Sequence, residues 1–165
     1  MLAEFGRPKL SYLKLSENLA HGDERLRTYY YDCAPYVSEP PKAEEKLRQA
    51  NFDRFKRALE MEPRFQVRLG RLAKYIDEGG AARYEQKKVD VLLTVDLLKL
   101  ALEHQLQRAV LFAGDSDFVP AIQIARDAGV VIQLYYYDRP RPHAELMSSC
   151  DERTKIDQAF LNAAT

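Results

Sequence analysis

Cysteine is scarce in this chain of 165 residues: two thiols, Cys33 and Cys150, stand far apart. That excludes a disulfide framework and a paired-cysteine zinc motif. Net charge is missing as well, because 25 Lys and Arg balance 25 Asp and Glu. Bulk electrostatics therefore will not carry the chain onto nucleic acid, and any such binding must use a local patch. No apolar run approaches the roughly 20 residues that a membrane span needs. The opening Met-Leu-Ala-Glu-Phe-Gly-Arg-Pro has no apolar signal core, so a cytoplasmic location is expected. No Walker loop, GxGxxG, GxSxG or HExxH occurs. The three histidines, His21, His104 and His143, are scattered, and none is assigned to a metal.

What is present fits one globular domain over residues 1–165, with 46% hydrophobic and 30% charged residues, enough to bury a core. Leucines at 10, 13, 15 and 19 predict a helix over Leu10–Ala20, ended by His21-Gly-Asp. Arg25–Cys33 reads as a strand, and Ala34–Lys42, with Pro35, Pro40 and Pro41, reads as a loop. Ala43–Glu62 is a predicted helix with Leu47, Ala50, Phe55, Ala58, Leu59 and Met61 on its apolar positions, stopped by Pro63. Phe65–Leu69 alternates as a half-buried strand ending at Gly70. Leu72–Tyr84 reads as a short strand followed by a Gly79-Gly80 turn.

Val89–His104 is too apolar for a one-faced surface helix and is expected to be well buried. Ala109–Ala113 and Val130–Tyr136 read as strands joined by a helix over Phe118–Ala128. Such a crossover implies parallel pairing. After Arg139-Pro-Arg-Pro, a last helix starts near His143. Strands alternating with helices along the whole length predict an α/β three-layer sandwich around a mostly parallel sheet.

Function is most legible at Val110–Pro120, where an apolar run ends in Gly114 and Asp115 and Asp117 follow one residue apart. Open α/β sheets bind their ligands at the carboxyl ends of strands. Asp90 and Asp96 lie upstream in Lys88-Val-Asp-Val-Leu-Leu-Thr-Val-Asp. Two carboxylates about 4 Å apart repel by roughly 4 kcal/mol at an effective dielectric near 20, so gathered acids call for a cation or a proton. Oxygen ligands suit Mg²⁺ or Mn²⁺. Gly114 frees the turn, Ser116 is placed to orient a neighbour, and Asp90 sits where the helix dipole favours an anion. Asp96 falls about 120° around the helix from Asp90, so both address one ion only if the first turn is irregular. Read one by one, Asp90 and Asp117 also suit helix caps, and Asp96 suits an ion pair with Lys99.

The two acidic motifs, Lys88-Val-Asp-Val-Leu-Leu-Thr-Val-Asp and Ala113-Gly-Asp-Ser-Asp-Phe-Val-Pro, resemble those of the NYN domain, the LabA-like branch of the PIN-like nuclease superfamily. Arg27-Thr-Tyr-Tyr-Tyr-Asp is similar to the family's second strand, Val67-Arg-Leu-Gly-Arg-Leu to its third and Val130-Val-Ile-Gln-Leu-Tyr to its fifth. Ala144-Glu-Leu-Met-Ser-Ser-Cys-Asp is similar to the closing helix. The resemblance implies a Rossmann-like PIN-type sheet and a metal-dependent ribonuclease. Its metal or catalytic acids would be Asp90, Asp115 and Asp117, with Asp96 as a fourth ligand and RNA as partner. One departure stands out: the family's first strand, ending in Asp-Gly-x-Asn, has no counterpart in this sequence. Its loss would leave exposed sheet edges, so a partner chain or a rearranged segment is expected to fill the gap, or stability to suffer, and a homo-oligomer is expected. It also keeps open a second reading, an inactive regulatory module that binds RNA or protein.

Arg64, Arg68, Arg71 and Lys74, with Arg83, Lys87 and Lys88 nearby, form the most basic region. Arg64, Gln66 and Arg68 share one strand face and suit either phosphate contact or a solvated surface. Tyr29–Tyr31 and Tyr135–Tyr137 suit either base stacking or core packing. Gly114-Asp-Ser-Asp is also similar to a haloacid-dehalogenase phosphatase motif, but that class needs an early Asp-x-Asp, which is not found.

Overall fold

The computed structural model describes residues 10–77 and 79–165. The opening residues read above for a signal core lie outside them. The chain divides into two compact units, the described residues up to Leu26 with Thr94–Thr165, and Arg27–Leu93. Each holds a three-stranded sheet, and three of the four strand pairings are parallel. This is the expected mostly parallel α/β class, with its strands hydrogen-bonded in two sets.

In the first unit, α1 (Tyr12–Ala20) starts where the Ser11 hydroxyl accepts from the Lys14 N–H. It stops at His21, whose backbone is left-handed. The Ser11 N–H donates to the Ala164 carbonyl at 2.7 Å, tying the start of α1 to the end of the described chain. Strands β4 (Arg108–Leu111), β5 (Val131–Tyr136) and β6 (Glu152–Lys155) run parallel in that order. The crossover from β4 to β5 is α4 (Val119–Asp127), which buries Val119, Ala121, Ile122 and Ala125. Gly129, with φ at +89°, turns the chain out of α4 into β5. Ile132 and Leu134 on β5 are fully buried, as are Gln133 and Tyr135 on its other face to within a few per cent. A central parallel strand covered on both faces gives that pattern. Tyr135, Tyr137, Ile156 and Leu161 form a core cluster onto which Leu10, Leu19, Val110, Phe112 and Phe160 pack.

The predicted closing helix is shorter than expected. It ends as α5 (Ala144–Ser149), after which come β6 and a short α6 (Gln158–Asn162). Strand β6 reads Glu-Arg-Thr-Lys and offers no apolar alternation, so only its backbone pairing with β5 defines it.

In the second unit, β1 (Thr28–Cys33) pairs in parallel with the first half of β2 (Phe65–Ile76), from Thr28↔Phe65 to Cys33↔Gly70. Helix α2 (Ala43–Met61) connects them. Its buried side is Leu59 with the half-buried Phe52 and Phe55, and Phe55 meets Tyr30 edge-on at 5.5 Å. Leu47, Ala50, Ala58 and Met61, expected on the apolar face, are exposed. Residues 52, 55 and 59 recur at three and four and fix the face that meets the sheet.

Strand β2 does not end at Gly70. It continues to Ile76 and pairs antiparallel with β3 (Ala82–Lys87), from Arg71↔Lys87 to Ile76↔Ala82. Every residue of β3 is exposed, so the sequence carries no burial alternation to announce it. Helix α3 (Val89–Leu102) contributes residues to both units. It buries Leu97 and Ala101 but exposes Val91, Val95 and Leu102, which share one face. The expected all-round burial does not hold, because one apolar face is left uncovered.

Candidate functional site

Each unit carries acids at the carboxyl end of a parallel strand. In the first, β4 ends at Leu111, and Asp115 caps a single 3-10 turn, Ser116–Phe118, that runs into α4. One Asp115 oxygen accepts from the Asp117 backbone N–H at 3.0 Å. Phe118 and Val119, both buried, pin the turn from behind. The carboxylates of Asp115 and Asp117 are therefore exposed on a fixed support, at the helix N-terminus whose partial positive charge suits anions. Ser116 lies half-buried between them.

In the second unit, β1 ends in Asp32 and Cys33, and Asp90 lies in the first turn of α3. The Asp32 carboxylate accepts from the Cys33 N–H at 2.7 Å and from the Tyr30 hydroxyl at 3.2 Å. Cys33 is buried, and its thiol is pushed above the ordinary value, first by that burial. A backbone hydrogen bond with Lys87 acts the other way, while the charges of Asp32 and Asp90 add to the rise. Both carboxylates thus act on one buried thiol. Asp32 is a strand-end acid that sequence reading did not assign to the site. The only signal was Asp32's place at a strand end, the same signal that marked Asp115.

Asp96 sits in the regular part of α3, half-buried, with six residues and about 120° between it and Asp90. The irregular first turn that would align the two is absent from this helix. Within neither unit, among the described residues, do three His, Cys, Asp or Glu side chains gather as a metal-holding group. Carboxylate pairs still suit Mg²⁺, which is commonly held by one or two carboxylates with water and phosphate completing its shell. The donor chemistry fits a hydrated Mg²⁺ or Mn²⁺.

The basic residues divide differently from the expected stripe. Arg64 precedes β2, with φ at 63°, and so lies outside the strand face of Gln66 and Arg68. Arg71 points to the opposite face from Arg68, since the side-chain period is two. Lys88, with φ at 74°, is an exposed left-handed residue just before α3, and its carbonyl accepts the Leu92 N–H at 2.9 Å.

Residues 5–157 match the family model described as NYN domain. A crystal structure of a protein of unknown function from Vibrio parahaemolyticus is similar to the chain, with a TM-score of 0.63 and 22% identity. The similarity covers 97% of this chain and 86% of that one, and at such identity it speaks for the fold alone. No curated protein matches the chain. Among the described residues no helix is long and apolar enough to cross a membrane.

Proposed function

The chain belongs to the NYN domain family, within the PIN-like nuclease superfamily, and on that premise we propose that it is a metal-dependent ribonuclease that hydrolyses RNA phosphodiesters. The observation that carries the reading is the Asp115–Asp117 pair, exposed on a pinned turn beyond a parallel strand. Asp115 and Asp117 in the first unit, and Asp90 in the second, are the acids that would hold Mg²⁺ or Mn²⁺. Asp96 is the fourth acid of the proposed set. When bound, the cation supplies Lewis acidity, which makes water a better nucleophile and offsets charge on the phosphodiester.

The protein's own contribution is position and proton transfer. Asp115 is oriented by its bond to the Asp117 N–H, which leaves its second oxygen and the Asp117 carboxylate to act on substrate. A carboxylate there accepts the proton of the attacking water. Lys88, Arg64, Arg68, Arg71 and the Ser116 hydroxyl are the proposed contacts to the RNA backbone. Residues 1–165 act as one such domain in this proposal, in the cytoplasm and as a homo-oligomer that sedimentation velocity would detect.

Cleavage of a mixed single-stranded RNA pool with Mn²⁺, wild type against Asp115→Asn, tests the reading. Loss of cleavage in the variant supports it, and equal cleavage excludes this site. The second reading, an inactive module that binds RNA or protein, is favoured because no three metal-ligating side chains gather among the described residues. Calorimetric titration with Mn²⁺ separates the two: a nuclease binds the ion and loses that binding in Asp115→Asn, whereas an inactive module shows none.

A further inference from the structure

The even-numbered side chains of β2 form one face of the second unit's sheet. Tyr29 and Tyr31 share it through their pairing with Gln66 and Arg68, and Tyr84 through its pairing with Lys74. Two ring-and-cation clusters stand on this face. In one, the Tyr29 and Tyr31 rings lie 6.1 Å apart and nearly parallel, with the Arg68 guanidinium 5.6 Å from the Tyr29 centroid. In the other, Tyr36 and Tyr84 lie 5.4 Å apart, and the Lys74 ammonium stands 5.3 Å over the Tyr36 ring.

The second cluster is open to solvent, with Tyr84 51% exposed and Lys74 exposed. Its loop is held in place. The Tyr36 carbonyl accepts from Arg48, and Glu45 accepts from the Ser38 and Lys42 N–H groups. Cys33 and Gly70 lie between the clusters on the same face.

Charge is also sorted between the faces. The carboxylates of the three strands are Asp32 and Glu85, paired with Leu69 and Ala73, and so both belong to the opposite face. Glu85 is ion-paired with Lys87 there, and Asp77, beyond the end of β2, is bound by Arg83. The ring-bearing face therefore offers cations and aromatic surfaces with no strand carboxylate among them. A polyanion with accessible planar groups complements it, and unpaired bases on a phosphate backbone have that chemistry. Duplex RNA hides its base faces within the stack.

We propose that this face binds single-stranded RNA, with bases stacked on Tyr36 and Tyr84 and phosphates against Lys74 and Arg68. The inference rests on the nuclease reading and narrows its substrate to unpaired RNA. The two clusters are six residues apart on β2, about 20 Å along the strand. A single strand engaged by both passes Cys33 and Gly70, where β2 changes partner.

Fluorescence anisotropy of the full chain with a labelled 12-nucleotide single-stranded RNA, in chelator so that nothing is cut, tests this. Tyr84→Ala and Lys74→Gln are each expected to weaken binding about 5-fold or more, while Tyr84→Phe, which keeps the ring, binds as wild type. A duplex of equal length should bind more weakly and respond little to Tyr84→Ala. Unchanged affinity in Tyr84→Ala, or no binding by wild type, overturns the proposal. So does loss of a dimer in sedimentation by Tyr84→Ala with RNA affinity intact, which would give the face to a second copy. Weakened binding in Tyr84→Ala alongside equal Mn²⁺-dependent cleavage by wild type and Asp115→Asn would overturn the nuclease reading alone. Intact binding in Tyr84→Ala with cleavage lost in Asp115→Asn would overturn this inference alone.

Discussion

The carbonyl oxygen of Lys87 lies 2.5 Å from where a Cβ on Gly70 would stand. Val89 Cγ2 is 2.7 Å from the same point and the Cys33 sulfur 3.1 Å. Gly70 is where β2 exchanges its parallel partner, β1, for its antiparallel partner, β3. The missing side chain lets the chain before α3 close against the end of β1, where Cys33 lies buried.

Gly70→Ala is therefore expected to lower stability by roughly 1–3 kcal/mol, the usual range for overpacking. The nearest atom is backbone and cannot rotate away. Urea unfolding followed by circular dichroism would measure it. A midpoint equal to wild type would show that the strand shifts freely.

Asp115→Asn and Asp115→Ala should part company. Asparagine caps a helix start about as well as aspartate, so Asp115→Asn is expected to unfold within about 0.5 kcal/mol of wild type. Its Mn²⁺-dependent cleavage should fall at least about 100-fold, since even groups behind a metal ligand matter 10- to 100-fold. Asp115→Ala should lose the same activity and a further ~1 kcal/mol of stability with the cap. Paired thermal melts and cleavage rates report both effects.

The two thiols should be slow to alkylate. Burial raises Cys33 and Cys150 above the ordinary 9.0, so both remain protonated at neutral pH. A group raised in the folded state adds stability that is fully present below its unfolded value and fades as pH climbs through the folded one. Stability should therefore decline from about pH 9 upward, where the unfolded thiols ionise first. Iodoacetamide labelling that is slow in buffer and fast in urea would bear this out, and rapid labelling of the native chain would contradict it.

Glu45 gives the opposite sign. The Ser38 hydroxyl and the Lys42 N–H hold its carboxylate down to about 2 from 4.5. A depressed acid contributes above its unfolded value, and that contribution is lost as pH falls from 4.5 toward 2. Glu45→Gln should flatten the acid limb of stability across this interval. Unfolding midpoints at several pH values read the slope, and identical slopes in both proteins would refute the assignment.

The sequence by itself determined whatever local chemistry settles. Pro63 ends α2, His21-Gly ends α1, and the apolar run before Gly114 places Asp115 and Asp117 just past a strand. Each depends on neighbours a few residues away. Tertiary structure decided what depends on distant backbone. β3 and β6 carry no apolar pattern and are strands because β2 and β5 offer them free N–H and carbonyl groups. Gly70 looked like the end of a strand, since glycine is common at turns, yet its bareness serves a close approach by Lys87, 17 residues later. Cys33 and Val89 meet at Gly70 for the same reason: a pairing between segments brings together side chains that no spacing along the chain can connect.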